Sequence, residues 1–200
     1  RDNLVKLGFI VAEMPPNKLF KMSPNFSVAN FPSGHDSAYV VKTGDKTILN
    51  QNDCKLSSEQ CNLVKQVCGD IDAYFMQFSL AGYYANRDDT DGLRRAKIEH
   101  VNMLTNYSQI FNPKITVPFA SFVYFSRERN NFLNDWVVDL SEIPIETQVL
   151  YYGDELAWDG DLNRTVLNKS LWKSLFGESK LIEKSRVINQ EEIVDSANKF

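Results

Sequence analysis

The segments Gly34-His35-Asp36-Ser37-Ala38-Tyr39-Val40-Val41 and Lys46-Thr47-Ile48-Leu49-Asn50-Gln51-Asn52-Asp53-Cys54 form the most informative stretch of this sequence. They read as two apolar strands joined by a Gly44-Asp45 turn, with His35 before the first strand and Asp53 after the second. Because adjacent strands lie about 4.8 Å apart, His35 and Asp53 are predicted to meet at one edge of a sheet. An imidazole and a carboxylate placed there could share a metal ion.

Outside this hairpin the chain alternates apolar strands with segments of helical spacing. Further strands are predicted at 9–13, 19–22, 26–31, 71–78, 115–119 and 148–152. Helices are predicted to end at Gly8, to begin at Ser57, to run from 93 to 111, and to cover 171–200. This order of elements predicts an α/β domain.

Composition and charge narrow the classes of partner. Hydrophobic residues make up 43% of the 200 residues and charged residues 24%, which is ordinary for a globular chain. The net charge of −4 gives no overall basic field for nucleic acid or an anionic membrane. No run approaches the roughly 18 apolar residues that span a bilayer. We therefore expect neither a nucleic-acid partner nor a membrane partner.

The three cysteines, Cys54, Cys61 and Cys68, are seven residues apart. Zinc-finger pairs lie closer together, and secreted disulfide frameworks use an even and denser set. We expect buried structural thiols in a reducing compartment, with the cytoplasm as the location.

The hairpin with His35 and Asp53, together with its neighbouring segments, resembles the second half of the metallo-β-lactamase superfamily. That fold is a sandwich of two sheets with helices on both outer faces. In that family a histidine ligand precedes a hairpin and an aspartate ligand follows it, and here His35 and Asp53 stand at those positions. The resemblance covers about residues 4–154. Segments 36–38, 48–54, 75–84 and 117–122 look closest to a branch that contains CMP-N-acetylneuraminate hydroxylase-like carbohydrate-pathway proteins.

The resemblance implies an α/β metallo-β-lactamase-like αββα sandwich, with its C-terminal half in residues 1–165 and a helical extension in 166–200. It implies metal ligation by His35 and Asp53, with zinc, iron or manganese as the divalent metal. Asp36 or Ser37 would orient His35 as an outer-shell partner. The expected reaction is hydrolysis of a small anionic or sugar-derived substrate, with oxygenation conceivable.

The sequence departs from the family pattern in two places. It has no His-x-His-x-Asp-His run, and Pro118-Phe119-Ala120-Ser121 lacks the terminal histidine ligand. We therefore expect a part of a longer polypeptide, in which an upstream segment or a partner chain covers an apolar sheet face and completes the sandwich. The alternative is a degenerate, non-catalytic member of the fold that binds a ligand or a protein.

Alternative interpretations remain for the candidate residues. His35 could bond to backbone in its loop, and Asp53 could cap the end of its strand. Tyr83 and Tyr84 are candidates to line a substrate cleft, although large aromatic side chains lie more often in a core or at a rim.

Other candidates for chemistry are weaker. His100 is expected to be a solvated or half-buried helix residue, and Asp88-Asp89-Thr90-Asp91-Gly92 a solvated loop that leads to a helix cap. The acidic residues Asp154, Glu155, Asp159 and Asp161 lack an oriented nucleophile. A Cys54–His35 nucleophile pair is geometrically possible.

Overall fold

The computed structural model describes residues 2–178, which form a mixed α/β fold around one six-stranded sheet. The helices are α1 (Asp2–Lys6), α2 (Ser58–Cys68), α3 (Thr90–Phe111) and α4 (Leu162–Glu178), with 3₁₀ turns at Asn131–Asp135 and Leu140–Glu142. The strands are β1 (Phe20–Ser23), β2 (Phe26–Ser33), β3 (Asp36–Thr43), β4 (Lys46–Asn52), β5 (Ala73–Gln77) and β6 (Ile115–Phe119). No helix in this part of the chain is long and apolar enough to cross a membrane.

Strand order in the sheet follows chain order, but the direction of pairing changes halfway. Strands β1 to β4 form an antiparallel meander, and β4, β5 and β6 pair in parallel. Parallel neighbours need long crossovers, and α2 and α3 provide them. The predicted hairpin is present as β3 and β4, with Gly44 at φ 58° in the turn between them.

Both crossover helices are present, α2 with its predicted start and α3 with its predicted end, although α3 begins at Thr90, three residues before the predicted start. Ser57 caps α2, because its hydroxyl accepts from the Gln60 amide while the Gln60 side chain bonds back to the Ser57 amide. Asp89 caps α3 by accepting from the Gly92 amide at 2.8 Å, as the loop interpretation of 88–92 predicted. Asn112, in the left-handed region, ends α3.

One face of the sheet is covered by the helices. Side chains from β2 to β5 on this face are fully buried against α2 and α3, and they are Phe31, Val40, Leu49, Tyr74 and Met76. The helices contribute Cys61, Val64, Leu104 and Phe111 to the same cluster. Trp172 of α4 also packs into it, so α4 belongs to this core.

The opposite face, which we call the open face, carries Val28, Tyr39, Val41, Ile48 and Phe75. The strand register sets Val28, Val41 and Ile48 in one row across three strands. All five side chains are half-buried or exposed, whereas their covered-face neighbours are inaccessible. This part of the face therefore presents accessible apolar side chains next to the polar Asn30 and Asn50.

Most of the predicted elements are confirmed, but two predicted strands are wrong. Residues 9–13 form no strand, and Ile10 is fully exposed. Residues 148–152 run beside β6 and make one strand-like bond, from the Gln148 amide to the Thr116 carbonyl at 2.8 Å. The chain then turns at 151–154 before a ladder can form. An apolar run becomes a strand only where a partner strand is available.

The C-terminal helix begins earlier than predicted. Because α4 starts at Leu162, the predicted division between residues 165 and 166 falls inside a helix that packs into the main core. The predicted helix over 171–200 coincides with α4 as far as Glu178, and residues 179–200 lie outside the described part of the chain.

Candidate functional site

A cleft of about 540 Å³ lies at the carboxyl ends of β4 and β5, where α3 passes the end of the hairpin. We call it the hairpin cleft. Its lining includes both histidines of the chain, three carboxylates and one lysine, and the residues are Ser33, Gly34, His35, Asp36, Asp53, Lys55, Gln77, Tyr84, Glu99, His100 and Met103. Ligands of open α/β sheets bind at this position, outside the carboxyl ends of parallel strands.

The hairpin register brings His35 and Asp53 to the same cleft. The ladder between β3 and β4 ends at the pair Tyr39 and Asn50, three residues after Asp36 and three residues before Asp53. His35 immediately precedes β3 and Asp53 immediately follows β4. The predicted juxtaposition of an imidazole and a carboxylate at one sheet edge is therefore present in the structure.

A buried polar chain fixes the end of β4 just before Asp53. The Tyr74 hydroxyl donates to Gln51 Oε1 at 2.9 Å, and Gln51 Nε2 donates to the Cys54 carbonyl at 2.7 Å. The Cys54 amide returns a bond to the Gln51 carbonyl, and Asn52 takes φ 50° to close the turn. Tyr74 and Gln51 are completely buried, so the backbone that carries Asp53 is held from the core.

The loop that carries His35 is tied to the start of α2. The Ser33 hydroxyl donates to the Lys55 carbonyl at 2.5 Å, and Gln60 Nε2 donates to the Pro32 carbonyl at 2.6 Å. Gly34 takes φ 63°, a conformation that favours glycine. The backbone on either side of the cleft mouth is thus fixed.

The side chains of His35 and Asp53 are exposed and little used by the protein. Within residues 2–178 the His35 ring makes no hydrogen bond, so neither Asp36 nor Ser37 orients it here. Within the same residues, Asp53 accepts one side-chain bond, from Asn52 Nδ2 at 2.9 Å. The backbone that carries His35 and Asp53 is therefore held by hydrogen bonds, while their side chains stand exposed at the cleft.

His100 lies deeper in the cleft than its sequence context predicted. The side chain is only 4% exposed, and its Nδ1 lies 2.7 Å from the Ala96 carbonyl. A carbonyl can only accept, so Nδ1 carries a hydrogen, and in the tautomer with that hydrogen Nε2 has a lone pair. The Tyr84 hydroxyl lies 3.0 Å from Nε2 and donates to it. The expectation of a solvated or half-buried residue is therefore corrected: His100 is buried and holds Tyr84.

Tyr84 contributes a phenol to the cleft. Its ring meets the His100 ring edge-on with centroids 5.0 Å apart. Burial raises the pKa of the Tyr84 hydroxyl, so the phenol stays protonated around neutral pH. Because its hydrogen is given to His100, the phenol oxygen can still accept a hydrogen bond from a ligand.

A salt bridge crosses the rim of the cleft. Lys55 Nζ lies 3.0 Å from Glu99 Oε1, and both side chains are more than half exposed. Exposed pairs of this kind contribute only about 0–1 kcal/mol, so a charged ligand can compete for either partner.

The described residues do not by themselves make a complete metal site. Zinc sites in proteins use three or four protein ligands. Within residues 2–178 no group of three or more histidine, cysteine, aspartate or glutamate side chains is arranged to hold a metal ion. His35 and Asp53 could supply two donors, and His100 is already engaged at both ring nitrogens.

The cysteines are buried and unreactive, in agreement with the structural interpretation. Cys54, Cys61 and Cys68 are all free thiols with 1% exposure. Burial, followed by the nearby Asp36 and Asp53 charges, raises the pKa of Cys54 to about 11. A thiol with that pKa is not a nucleophile near neutral pH, so Cys54 does not form a catalytic pair with His35.

Two other sequence candidates lie apart from the hairpin cleft. Tyr83 is 68% exposed, bonds to Asn86 and does not line the cleft. Asp154 is used structurally, because it accepts from Arg164, Asn168 and the Tyr151 amide. The bond from the Arg164 side chain is the main cause that lowers the pKa of Asp154.

Sequence reasoning missed His100, Glu99, Lys55 and Gln77 as cleft residues. A signal for His100 was available, because it belongs to the helical series of buried α3 positions Leu93, Ala96, His100, Leu104, Ser108 and Phe111. A histidine on the apolar side of a helix must find polar partners, which points to a site. No comparable signal marked Lys55 or Gln77.

Comparison with known proteins gives no family for this chain. No family model matches it, and a search of curated proteins finds no match.

Proposed function

We propose that this chain contributes the hairpin cleft to a metal-dependent, hydrolase-like enzyme that acts on a small anionic or sugar-derived substrate. The observation that carries the proposal is the shared cleft, in which His35 and Asp53 stand exposed on backbone fixed from the core. Two protein donors are fewer than a catalytic metal needs, so further ligands would come from outside the described residues. Zinc, iron or manganese would suit an imidazole and a carboxylate.

The side chains around this pair fit a small polar substrate. Lys55 can leave Glu99 to meet an anionic group, since their salt bridge is exposed. The Tyr84 oxygen can accept from a sugar hydroxyl, and Gln77 can both donate and accept. The acceptor atoms of Tyr84 and Gln77, together with the Lys55 ammonium group, suit a ligand with several hydroxyls and one negative charge.

The open face supports the idea that another segment completes the fold. Helices cover one face of the sheet. On the other face Val28, Tyr39, Val41, Ile48 and Phe75 are half-buried or exposed, whereas Ala73, Ile115 and Val117 are buried. We propose that this sheet is one half of a metallo-β-lactamase-like αββα sandwich, with an upstream segment or a partner chain on the open face. Gln77 shares the side of β5 that bears Phe75 and also lines the hairpin cleft, so a covering segment would reach the site. Three buried free thiols are consistent with a cytoplasmic location.

A second function is supported by the same geometry. The described residues hold no three-donor metal group, and His100 is committed to Ala96 and Tyr84. These observations favour a degenerate member of the fold that keeps the hairpin cleft as a binding site for a small ligand, without catalysis.

Metal content of the full-length polypeptide distinguishes the two functions. If the enzyme proposal is correct, the purified protein carries at least one zinc, iron or manganese ion per chain. The variants His35→Ala and Asp53→Asn then lose it, and the control Asp45→Asn at the far end of the hairpin keeps it. A full-length protein that is metal-free and takes up no added zinc, iron(II) or manganese contradicts the enzyme proposal and leaves the binding module.

A further inference from the structure

A second cavity, of about 450 Å³, lies between the 121–142 segment and α4. We call it the lysine cavity, because Lys97, Lys169 and Lys173 line it. The volume is within the range of small-molecule sites in proteins. None of its lining residues belongs to the hairpin cleft, so it is a separate site.

Aromatic rings form the apolar wall of the lysine cavity. Phe122 stacks on Trp172 with centroids 4.0 Å apart and planes inclined by 15°. Phe176 continues the stack at 5.9 Å from Trp172, and Phe78 packs on Phe122 at 5.1 Å. Such a wall suits the flat face of an aromatic ligand, because offset ring contacts add to the burial of apolar surface.

The carboxylates of the cavity are used by its own wall. Glu142 accepts from Lys97 at 2.8 Å and from the Asp139 amide at 2.7 Å. Asp139 accepts from the amide and the hydroxyl of Ser141 at 2.8 and 2.6 Å. These bonds cap the 3₁₀ turn Leu140–Glu142, so both acidic groups are held in place.

The lysines leave an excess of positive charge. Three lysines face two carboxylates. The charge of Lys173 is among the causes that lower the pKa of Asp139, but within residues 2–178 neither Lys169 nor Lys173 forms a salt bridge. Ser121 adds a buried hydroxyl, 4% exposed, which accepts from the Phe78 amide and keeps its own hydrogen for another acceptor. A ligand complementary to this cavity has an aromatic ring that packs on the apolar wall. It also has an anionic group that meets the ammonium groups of Lys169 and Lys173 and the Ser121 hydroxyl.

We propose that the lysine cavity binds a small aromatic carboxylate. The ring of the ligand lies against Trp172 and Phe176, and its carboxylate meets Lys169 and Lys173. The proposal does not depend on the function of the hairpin cleft. Gln77, the last residue of β5, lines the hairpin cleft, and Phe78, which follows it, lines the lysine cavity, so the two sites lie on either side of one strand end.

Two probes that differ only in charge test the contact with the aromatic wall and the contact with the lysines separately. Binding of 2-naphthoate and of its neutral analogue 2-naphthamide is measured on the full chain by calorimetry and by quenching of tryptophan fluorescence. We expect naphthoate to bind at least about tenfold more tightly than naphthamide, the factor that a charge-assisted contact supplies. Phe176→Ala weakens the binding of both probes.

Variants identify the charges responsible. The double substitution Lys169→Gln with Lys173→Gln is expected to remove the preference for naphthoate and to leave naphthamide binding unchanged, which also shows that the cavity is intact. Lys21→Gln, on the exposed strand β1, serves as the control and should change neither affinity. The proposal is overturned if neither probe binds, if the two probes bind equally, or if the preference survives the double substitution.

Discussion

The two ends of the parallel part of the sheet hold the same kind of residue and use it in opposite ways. At the amino end, Asp72 is 6% exposed, and its two oxygens accept from the Thr47 amide at 2.8 Å and from Lys114 Nζ at 2.6 Å. At the carboxyl end, Asp53 is exposed, and among the described residues 2–178 it accepts only from the Asn52 side chain. The His35 ring, which lines the same cleft, makes no hydrogen bond within residues 2–178.

This difference separates a structural carboxylate from one available for chemistry. Asp72, the residue before β5, links the neighbouring strands. Its backbone bonds to Thr47 of β4 and to Ile115 of β6, and its side chain accepts from Lys114, the residue before β6. Removing it should cost stability. The Asp53 side chain, by contrast, is exposed and accepts a bond from its neighbour Asn52, so in our proposal it is available to a ligand. The predictions below test whether stability and binding are divided between the two ends in this way.

The largest expected effect is on stability at the amino end. Asp72→Asn replaces an ionised acceptor with an amide that cannot serve both Thr47 and Lys114, and we expect a loss of about 2 kcal/mol in the free energy of unfolding. Urea denaturation followed by circular dichroism measures it. Asp70→Asn, at an exposed neighbouring position, is the control. An Asp72→Asn variant as stable as the control would contradict the structural role.

The pH dependence of stability should carry the signature of Asp72. Burial alone would raise the pKa of this carboxyl, but the bonds from Lys114 and the Thr47 amide lower it below its ordinary value. Its contribution is therefore complete above the unfolded-state pKa of about 3.9 and is lost as the pH falls through the lower folded-state pKa. Denaturation between pH 6 and pH 3 should show a smaller acid-side decrease in Asp72→Asn than in the wild type.

A smaller effect is expected for the buried pair in the hairpin cleft. Tyr84→Phe removes the donor to His100 Nε2 and should destabilise the fold by about 1 kcal/mol. Long-range nitrogen–proton NMR of the His100 ring should still show the hydrogen on Nδ1, because the Ala96 carbonyl remains in place. A hydrogen on Nε2 in the wild-type protein would contradict the assigned tautomer.

The smallest effect on stability is predicted for the exposed pair. His35→Ala and Asp53→Asn should each change the free energy of unfolding by no more than about 0.5 kcal/mol, as for most surface substitutions. The same urea experiment measures both variants beside Asp72→Asn. A loss above about 1.5 kcal/mol for either would show that the residue is structural and would remove the contrast between the two ends.

The sequence predicted the part of the site that is local. His35 and Asp53 flank one hairpin, and the alternation of β3 and β4 with the Gly44-Asp45 turn was enough to bring them to one edge. The position of α3 at that edge depends on how the connection between β5 and β6 packs on the sheet, which involves residues far apart in sequence. The contact between Tyr84 and His100 was therefore not predicted. Residues 9–13 and 148–152 show the same limit, because strand pairing needs a partner that a single segment does not reveal.

The most direct test of the paired use of His35 and Asp53 is paramagnetic line broadening by Mn²⁺ in the amide NMR spectrum of the chain. Even weak binding by two donors broadens nearby amides, so a complete metal site is not required. We predict broadening at residues 33–36 and 53–55 that is lost in His35→Ala and in Asp53→Asn alike, with amides around Asp72 unaffected. Broadening at Asp53 that persists in His35→Ala, or that is stronger elsewhere, would show that the two residues do not act together.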